Sequence, residues 1–286
     1  MKYIRYDSPV EMCDFGIDFS NEEYIPHGLT KNRKEIHFDI NQITNGSILF
    51  IKWDLTHELI KILPQIQEKG INIVLITGRG DNYIDQNHVD YIMKFSCVDS
   101  WYRCNPVRLD PRIDFLPIGF SEEEREFGSQ TIIENIYNKK INPDDKIDMV
   151  YVPYFSKTNN RRYSLLNSFV EKHKDRCVIE KDRLKFDDYL ETLSNFKYCL
   201  VLCGNGQDVH RNYECLLTST VPVMESSAVR DYYQQYLKVP IELYENFTGN
   251  VEFDSTHKNK ITYNYWFNMI KKKSDKIKVL CLKDSP

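Results

Sequence analysis

The chain has 286 residues, 41% of them hydrophobic, so it is long for one domain and sufficient for two. Its 38 Lys and Arg against 42 Asp and Glu give a formal net charge of -4, which argues against general nucleic-acid binding, since that activity requires a basic face. No apolar run approaches the ~20 residues of a membrane span, and the first residues lack the apolar core of a signal peptide. The eight cysteines show no Cys-x-x-Cys pair and no zinc spacing. We therefore expect a soluble, cytoplasmic protein with reduced thiols.

The first regular pattern begins after residue 45, because residues 1–45 are polar and irregular. Residues 47–53 predict a buried strand, the residues from Asp54 onward carry a helical apolar stripe, and residues 71–77 predict a second strand. A polar loop, residues 78–82, follows. A strand, a helix and a second strand in this order predict a Rossmann-like βαβ unit.

The following stretch predicts shorter elements. Residues 100–105 combine aromatic and polar side chains, and we expect them to line a binding cleft. Residues 113–119 predict a short strand, and Ser121 with Glu124 forms a capping box that predicts the start of a helix. The turn-rich residues 142–145 are the best candidate for a linker between two domains.

A second strand and helix pattern begins at residue 147. Residues 147–153 predict a strand, a loop rich in hydroxyl and amide side chains follows, and Arg161-Arg162 opens a helix. Two arginines at a helix start suit a diphosphate, because guanidinium groups and the free N–H groups of a helix terminus both bind anions. The alternative is a pair of solvent-facing arginines.

Residues 196–224 are the most informative part of the chain. They predict a buried strand, a turn at Gly204-Asn-Gly206, a helix for which Asp208 is placed as the cap, and another short strand. Five polar residues of the turn and the first turns of this helix are candidates for ligand binding. These are Asn205, Asp208, His210, Arg211 and Glu214. Since ligands bind at the carboxyl ends of parallel strands, the pattern favours a nucleotide or nucleotide-sugar site.

Each of these residues alone also has an ordinary interpretation. A single histidine such as His210 is more often a surface or core residue than a functional one. Arg211 and Glu214 have the spacing of an ion pair on one helix face. Their order directly after a strand and a glycine turn is what favours the binding site.

Residues 204–216, followed by Val221-Pro-Val223, resemble the signature of exostosin-like glycosyltransferases. The similarity is to the short, soluble forms in bacteria and in large DNA viruses of algae, and it continues more loosely over most of residues 45–225. The resemblance implies the α/β fold called GT-B, in which two Rossmann-like domains face a central cleft. It also implies inverting transfer of a sugar from a UDP-sugar to a glycan hydroxyl.

With this fold, the element pattern predicts three parts of the chain. Residues 1–143 form an acceptor-binding Rossmann-like domain, and residues 144–260 form a nucleotide-sugar-binding one. Residues 261–286 form a carboxyl-terminal helix that returns toward the first domain.

On the donor side, the resemblance implies that arginines and helix termini neutralise the diphosphate leaving group. Glu214 then binds ribose or sugar hydroxyls, and Asp208 and His210 shape the pocket. No Asp-x-Asp motif follows a strand, so we expect no metal cofactor. The predicted donor-binding residues are Lys157, Arg161, Arg162, Gly204, Asn205, Gly206, Asp208, His210, Arg211, Glu214 and Ser226.

On the acceptor side, an inverting transfer needs a base to deprotonate the attacking hydroxyl. Asp81, in a loop that resembles the family's Thr-Gly-x-x-Asp element, is the first candidate, and Asp54, in a Lys-x-Asp-like element, is the second. The ordinary alternatives are a turn aspartate for Asp81 and a helix cap for Asp54. His57 is a third candidate base. The predicted acceptor-side residues are Lys52, His57, Arg79 and Trp101.

The resemblance favours UDP-xylose as the donor, with UDP-galactose and UDP-glucuronate as alternatives. The implied acceptor is an oligosaccharide or a glycoprotein glycan of viral or algal origin, and a viral chain would act in the host cytoplasm. The main alternative function is a glycan- or nucleotide-binding protein without turnover. Kinases, phosphatases, epimerases and dehydrogenases are disfavoured, because the sequence has no Walker loop, no phosphatase nucleophile motif and no Gly-x-Gly-x-x-Gly after the first strand.

Overall fold

The computed structural model describes residues 1–17, 40–80, 86–106, 111–139 and 141–283. Contacts divide the chain into two units. The first unit consists of Arg5–Ile118 and Tyr263–Pro286, and the second unit of Met1–Ile4 and Gly119–Thr262. Each unit holds a five-stranded parallel sheet with helices packed against it. The predicted α/β class with two Rossmann-like domains is therefore confirmed.

In the described part of the chain, the strands are β1 (Phe15–Ile17), β2 (Ile48–Lys52), β3 (Ile73–Gly78), β4 (Val98–Arg103), β5 (Ile113–Phe115), β6 (Ile147–Val152), β7 (Cys177–Ile179), β8 (Phe196–Val201), β9 (Val221–Met224) and β10 (Glu242–Leu243). The α-helices are α1 (Ser8–Glu11), α2 (Leu59–Glu68), α3 (Gln86–Ile92), α4 (Gln130–Asn138), α5 (Arg161–Lys172), α6 (Phe186–Ser194), α7 (His210–Thr218), α8 (Ala228–Tyr232) and α9 (Tyr263–Lys283). Short 3-10 helices span Trp53–Glu58, Glu126–Gly128, Pro143–Asp145, Lys174–Arg176, Tyr244–Asn246 and Ser255–Ile261, and a π-helix, Tyr233–Leu237, continues α8. None of these helices is both long and apolar enough to cross a membrane.

The sheet of the first unit follows the chain order β1-β2-β3-β4-β5, and all neighbouring strands are parallel. Side chains alternate across each strand, so Leu49 and Leu75 belong to one face, and Phe50 and Ile76 to the other. All four are fully buried. Helices α2 and α3 share a hydrophobic core with Leu49 and Leu75, while α9 packs against β3 and β4.

Helix α9 is part of the core of the first unit, although it follows the second unit in the chain. Trp266 of α9 is 1% exposed and makes an edge-to-face contact with Phe115 of β5, with ring centroids 6.0 Å apart. Ser274 Oγ donates a hydrogen bond to the Gly46 carbonyl over 2.6 Å. Gly46 has a φ of +79°, and an added Cβ would lie 2.5 Å from the Ser274 carbonyl oxygen, so only glycine fits there.

The sheet of the second unit has the order β10-β9-β8-β6-β7 and is also parallel throughout. The chain starts in β6, passes to β7 on one side, and then returns to β8 on the other side of β6. The strand order therefore reverses between β6 and β8. In doubly wound sheets, ligands bind in the crevice at such a reversal point, outside the carboxyl ends of the strands.

The segment before β6 differs from its sequence-based prediction. The helix predicted from Ser121 begins only at Gln130, because the preceding residues turn back on themselves. An added Cβ on Gly128 would lie 1.8 Å from the Glu122 carbonyl oxygen, which shows how tight that turn is. Helix α4 then packs against α6 and α7. Residues 119–143 accordingly lie in the second unit, whereas the predicted boundary at residue 143 assigned them to the first domain.

Lys146, directly before β6, is a buried cation that ties three segments of the second unit together. Its Nζ donates to the carbonyls of Phe196 and Thr218, at 3.1 and 2.8 Å, and to Thr220 Oγ1 at 2.9 Å. The Thr218 carbonyl belongs to the last turn of α7, where helix carbonyls lack internal partners. Burial lowers the pKa of Lys146 to about 7.

Replacing Lys146 by Met is expected to lower the free energy of unfolding by about 2 kcal/mol, because three buried acceptors lose their donor. The difference in free energy of unfolding between the wild type and Lys146→Met should grow between about pH 7 and pH 9. In this range the unfolded lysine, with a pKa near 10.5, holds a proton that the folded lysine releases, so the stability of the wild type rises with pH. Urea unfolding followed by far-UV circular dichroism at both pH values checks this prediction, and an equal loss at both would contradict it.

Candidate functional site

Polar and basic side chains gather at the carboxyl edge of the second unit's sheet, where the strand order reverses. Residues 153–160 leave the end of β6, and residues 202–209 leave the end of β8. Helices α5 and α7 begin directly after these loops, so both helix starts lie at this edge. The free N–H groups and the positive dipole end of a helix start favour an anion. This edge is therefore the candidate site of the second unit.

Arg162, the second residue of α5, holds the two loops together. Its Nε and Nη2 donate to the carbonyls of Cys203 and Leu202, at 2.9 and 3.3 Å. Its Nη1 donates to Thr158 Oγ1, in the other loop, at 2.7 Å. Because the buried guanidinium directs its donors at the protein, Arg162 positions the loops rather than presenting itself to a phosphate.

Arg211, in the first turn of α7, is oriented by aromatic side chains at the same edge. Its guanidinium carbon lies 4.5 Å from the centre of the Phe155 ring, and its Nη2 donates to the Tyr154 carbonyl at 3.2 Å. Its Nε donates to the Tyr189 hydroxyl at 3.3 Å, and that hydroxyl donates to Glu214 Oε2 at 2.8 Å. Burial and the Glu214 carboxylate raise the pKa of Tyr189 well above its usual range, so this hydroxyl stays protonated. Arg211 is thus held in one orientation at the helix start.

Arg161 is the most accessible arginine of this edge, with 74% of its side chain exposed. Its Nη2 lies 3.6 Å from Glu225 Oε2, directly after β9, while Glu225 Oε1 accepts from the Cys203 N–H at 2.7 Å. The 3.6 Å separation is longer than a hydrogen bond and the Arg161 side chain is exposed, so this pair leaves Arg161 accessible to another anion. Arg161 is therefore the side chain of this edge that is most able to contact a phosphate.

Arg161, Arg162 and Arg211 share this edge with the carboxylates of Asp208, Glu214 and Glu225. Burial lowers the pKa of Arg162 to about 10, and the neighbouring Arg211 adds a smaller repulsion. All three carboxylates are buried and already accept hydrogen bonds from protein groups. A bound anion would relieve this repulsion.

Asp208 does not cap α7, and that prediction is wrong. Val209 occupies the N-cap position, without a side-chain cap. The buried Asp208 carboxylate instead accepts from Asn212 Nδ2 at 2.8 Å and from the Tyr213 hydroxyl. Asp208 thereby supports the first turns of α7 from the inside, since both partners lie on that helix.

His210 and Gly204 shape the same edge. His210 Nδ1 lies 2.7 Å from the Gly119 carbonyl, so this nitrogen carries the proton and the ring orientation is fixed. An added Cβ on Gly204 would lie 3.1 Å from Arg162 Nη2. Glycine is therefore favoured at residue 204 by the close approach of the arginine, and not by a positive φ.

The remaining predicted donor-side residues lie in the loops of the second unit. Lys157 and Asn205 are exposed, one in each loop of the reversal point, and Gly206 is buried. Ser226, in the turn after β9, is exposed, and its hydroxyl accepts from Arg230 Nη2 at 3.2 Å. Lys157 and Asn205 are thus accessible to a ligand at this edge.

Three of the predicted acceptor-side residues lie near the carboxyl edge of the first unit's sheet. Lys52 is the last residue of β2, and Arg79 directly follows β3 with a φ of +57°. Both are half-buried. His57 is exposed, with its Nε2 3.1 Å from Glu58 Oε1.

Trp101 was predicted to contact the acceptor, and the structure shows that this is wrong. The residue is 0% exposed, and its Nε1 donates to Thr77 Oγ1 in β3 at 3.0 Å. Strands of a parallel sheet are covered on both faces, so an aromatic residue in β4 belongs to the core. Of the two candidate bases, Asp54 lies in the 3-10 helix directly after β2, and Asp81 lies outside the described residues.

Two contributors to the donor-side edge, Tyr189 and Phe155, are absent from the sequence-based prediction. Tyr189 lies on α6, and its contact with Arg211 joins residues 22 positions apart in the chain. An aromatic residue on the buried face of an amphipathic helix is typical of core packing. No pattern in the sequence therefore distinguishes Tyr189 from an ordinary core tyrosine.

The exposed Arg161 and the oriented Arg211 are side chains of the type that binds a diphosphate and stabilises negative charge that develops on it. In the described part of the chain, no group of three His, Cys, Asp or Glu side chains is placed to hold a metal ion. The eight cysteines are free thiols.

Comparisons with known proteins leave the family of the chain open. No protein-family model matches it, and no curated protein matches it. Among solved structures it is similar to the crystal structure of the GtfA/B complex, with 9% sequence identity and a TM-score of 0.41. The similarity covers 82% of this chain and 59% of the other, so the chain spans less than two thirds of that neighbour's length. A likeness at this level carries no argument about function.

Proposed function

We propose that the chain is a glycosyltransferase that binds a UDP-sugar at the reversal point of the second unit's sheet. The observation that carries this proposal is the pair Arg161 and Arg211 at two helix starts on one sheet edge, whose loops Arg162 holds together. A diphosphate suits this pair, since it needs charged, bidentate donors together with helix N–H groups. The resemblance of residues 204–216 to exostosin-like glycosyltransferases of the short viral and bacterial form supports the same function.

In the proposed reaction, the oxygen of an acceptor hydroxyl forms a bond to the anomeric carbon of the donor sugar. The bond from that carbon to the diphosphate oxygen breaks, and its electron pair leaves with UDP. A carboxylate takes the hydroxyl proton, and attack opposite the leaving group inverts the anomeric carbon. Arg211 and Arg161 stabilise the charge that develops on the diphosphate. The proposed base is Asp81, with Asp54 as the alternative.

The proposed donor is UDP-xylose, and the proposed acceptor is an oligosaccharide or a glycoprotein glycan. Because arginine side chains compensate the diphosphate charge, we propose that transfer needs no metal cofactor. The proposed location is the cytoplasm, which is that of the host if the chain is viral.

A transfer assay with a panel of donors tests this function. The chain is incubated with UDP-xylose, UDP-galactose or UDP-glucuronate, a mixture of oligosaccharides and EDTA, and both UDP release and product mass are measured. We expect transfer from one donor to be clearly preferred. Binding of UDP-sugars without transfer or hydrolysis would favour the alternative, a nucleotide-binding protein without turnover. Neither binding nor transfer would contradict the proposal.

A further inference from the structure

Arg103 is a buried cation at the carboxyl edge of the first unit's sheet. It ends β4, where it pairs with Thr77 of β3 and with Phe115 of β5. Its guanidinium carbon lies 5.2 Å from the centre of the Trp101 ring, and the residue is only 1% exposed. A charged side chain is thus held in the interior at the edge where ligands bind to parallel sheets.

The guanidinium of Arg103 carries five N–H donors, but few oxygen atoms lie close enough to accept hydrogen bonds from them. Its Nη2 reaches the Asn105 carbonyl at 3.5 Å, the outer limit of a hydrogen bond. Its Nε and Nη1 are buried and have no acceptor among the described residues, and no carboxylate of those residues pairs with it. Burial lowers the pKa of Arg103 to about 10.

Arg162 is a buried arginine that supports the fold, and its hydrogen bonds provide a comparison for those of Arg103. Its Nε, Nη1 and Nη2 all donate to oxygen atoms of the two loops that it joins. A buried charge without such partners destabilises a protein. Among the described residues, therefore, no oxygen atoms pair with Nε and Nη1 of Arg103 as the loop oxygens pair with Arg162.

The backbone beside Arg103 also departs from ordinary conformations. Arg79, directly after β3, and Asn105, two residues after β4, have φ values of +57° and +51°. Such left-handed residues cluster at binding sites, where the surrounding structure holds them in place. They mark the same sheet edge as the Nε and Nη1 donors of Arg103 that lack an acceptor among the described residues.

We propose that Arg103 binds an anionic substituent, a carboxylate or a phosphate, of the molecule that accepts the sugar. The oxygen atoms of the anion accept hydrogen bonds from the buried N–H groups of Arg103. The negative charge of the anion neutralises the charge of the guanidinium. The assignment of this anion to the acceptor rests on the proposed glycosyl transfer. The existence of an anion site at Arg103 does not depend on that function.

Saturation-transfer NMR with three monosaccharide probes tests the site. Glucuronate carries a carboxylate, glucose 6-phosphate carries a phosphate, and glucose is the neutral control. We expect the wild type to bind one of the two anionic sugars at least about tenfold more tightly than glucose, and the preferred probe identifies the anion. In Arg103→Met this preference should disappear. Lys61→Met, which removes an exposed cation from α2 of the same unit, should retain it.

Thermal unfolding of Arg103→Met without ligand separates a binding role from a structural one. Because Met removes an unpaired buried charge and keeps an apolar stem, the Tm is expected to stay constant or to rise. A fall of more than about 5 °C would show a structural arginine and overturn the proposal. Equal binding of the three probes by the wild type would also overturn it, as would an anion preference that survives in Arg103→Met. UDP binding by the same variant reports the donor site separately, so failure of one proposal is distinguishable from failure of the other.

Discussion

Replacing Asp81 by Asn is expected to lower kcat of sugar transfer by about 10²–10⁴ while leaving the affinity for UDP unchanged. Asparagine keeps the shape of the side chain but cannot take the proton of the acceptor hydroxyl. The affinity for UDP is expected to persist, because Asp81 is not among the residues of the proposed donor site. Initial rates of transfer at saturating donor, together with calorimetric titration of UDP, measure the two quantities.

Asp54→Asn is the matched variant, because Asp54 follows β2 as Asp81 follows β3. We expect it to change kcat by less than about tenfold if Asp81 is the base. A large loss of kcat in Asp54→Asn with near-normal turnover in Asp81→Asn would reverse the assignment. Near-normal turnover in both variants would show that neither carboxylate is the base.

Replacing Trp266 by Ala is expected to lower the free energy of unfolding of the first unit by about 3–5 kcal/mol. The indole is buried between α9 and the sheet, where it contacts Phe115 edge to face. Its removal leaves a cavity that the packed strands cannot fill by small shifts. The other two tryptophans, Trp53 and Trp101, lie in the same unit, so urea unfolding followed by tryptophan fluorescence reports this unit specifically.

Val279→Ala is the control for this substitution. Val279 lies on the same helix but is 52% exposed, and its loss is expected to change stability by less than about 0.5 kcal/mol. Similar unfolding curves for Trp266→Ala and the wild type would show that α9 does not contribute to the core of the first unit.

Local patterns predicted the part of the fold that positions the donor-side edge. The strand predicted over residues 221–224 is β9, and the helix predicted to open with Arg161-Arg162 is α5. Short apolar runs bounded by glycine or polar loops define buried strands well, because strands of a parallel sheet are covered on both faces. The sheet edge that carries the arginines followed from this order of elements.

The roles of individual side chains depended on contacts between distant segments. Nothing in the sequence separates Arg161 from Arg162, yet one is exposed and the other joins two loops. Asp208 matched a helix cap in its position, but its carboxylate accepts from Asn212 and Tyr213 inside the unit.

The predictions for Trp101 and for the domain boundary also depended on contacts between distant segments. Trp101 lies in a segment that is both aromatic and polar, which is also the composition of a cleft wall, and only its packing in β4 identifies it as core. The boundary after Ile118 depends on the packing of α4 against α6 and α7, a contact that no linker composition encodes.

Calorimetric titration of UDP in buffer with EDTA, into the wild type, Arg211→Ala and Arg176→Ala, tests the donor site most directly. Arg176 precedes β7 and so lies at the opposite edge of the same sheet. We expect saturable binding by the wild type, binding weakened by a factor of about 10–100 in Arg211→Ala, and binding within about twofold of the wild type in Arg176→Ala. No UDP binding by the wild type, or equal binding by the wild type and Arg211→Ala, would contradict a nucleotide-sugar site at the reversal point.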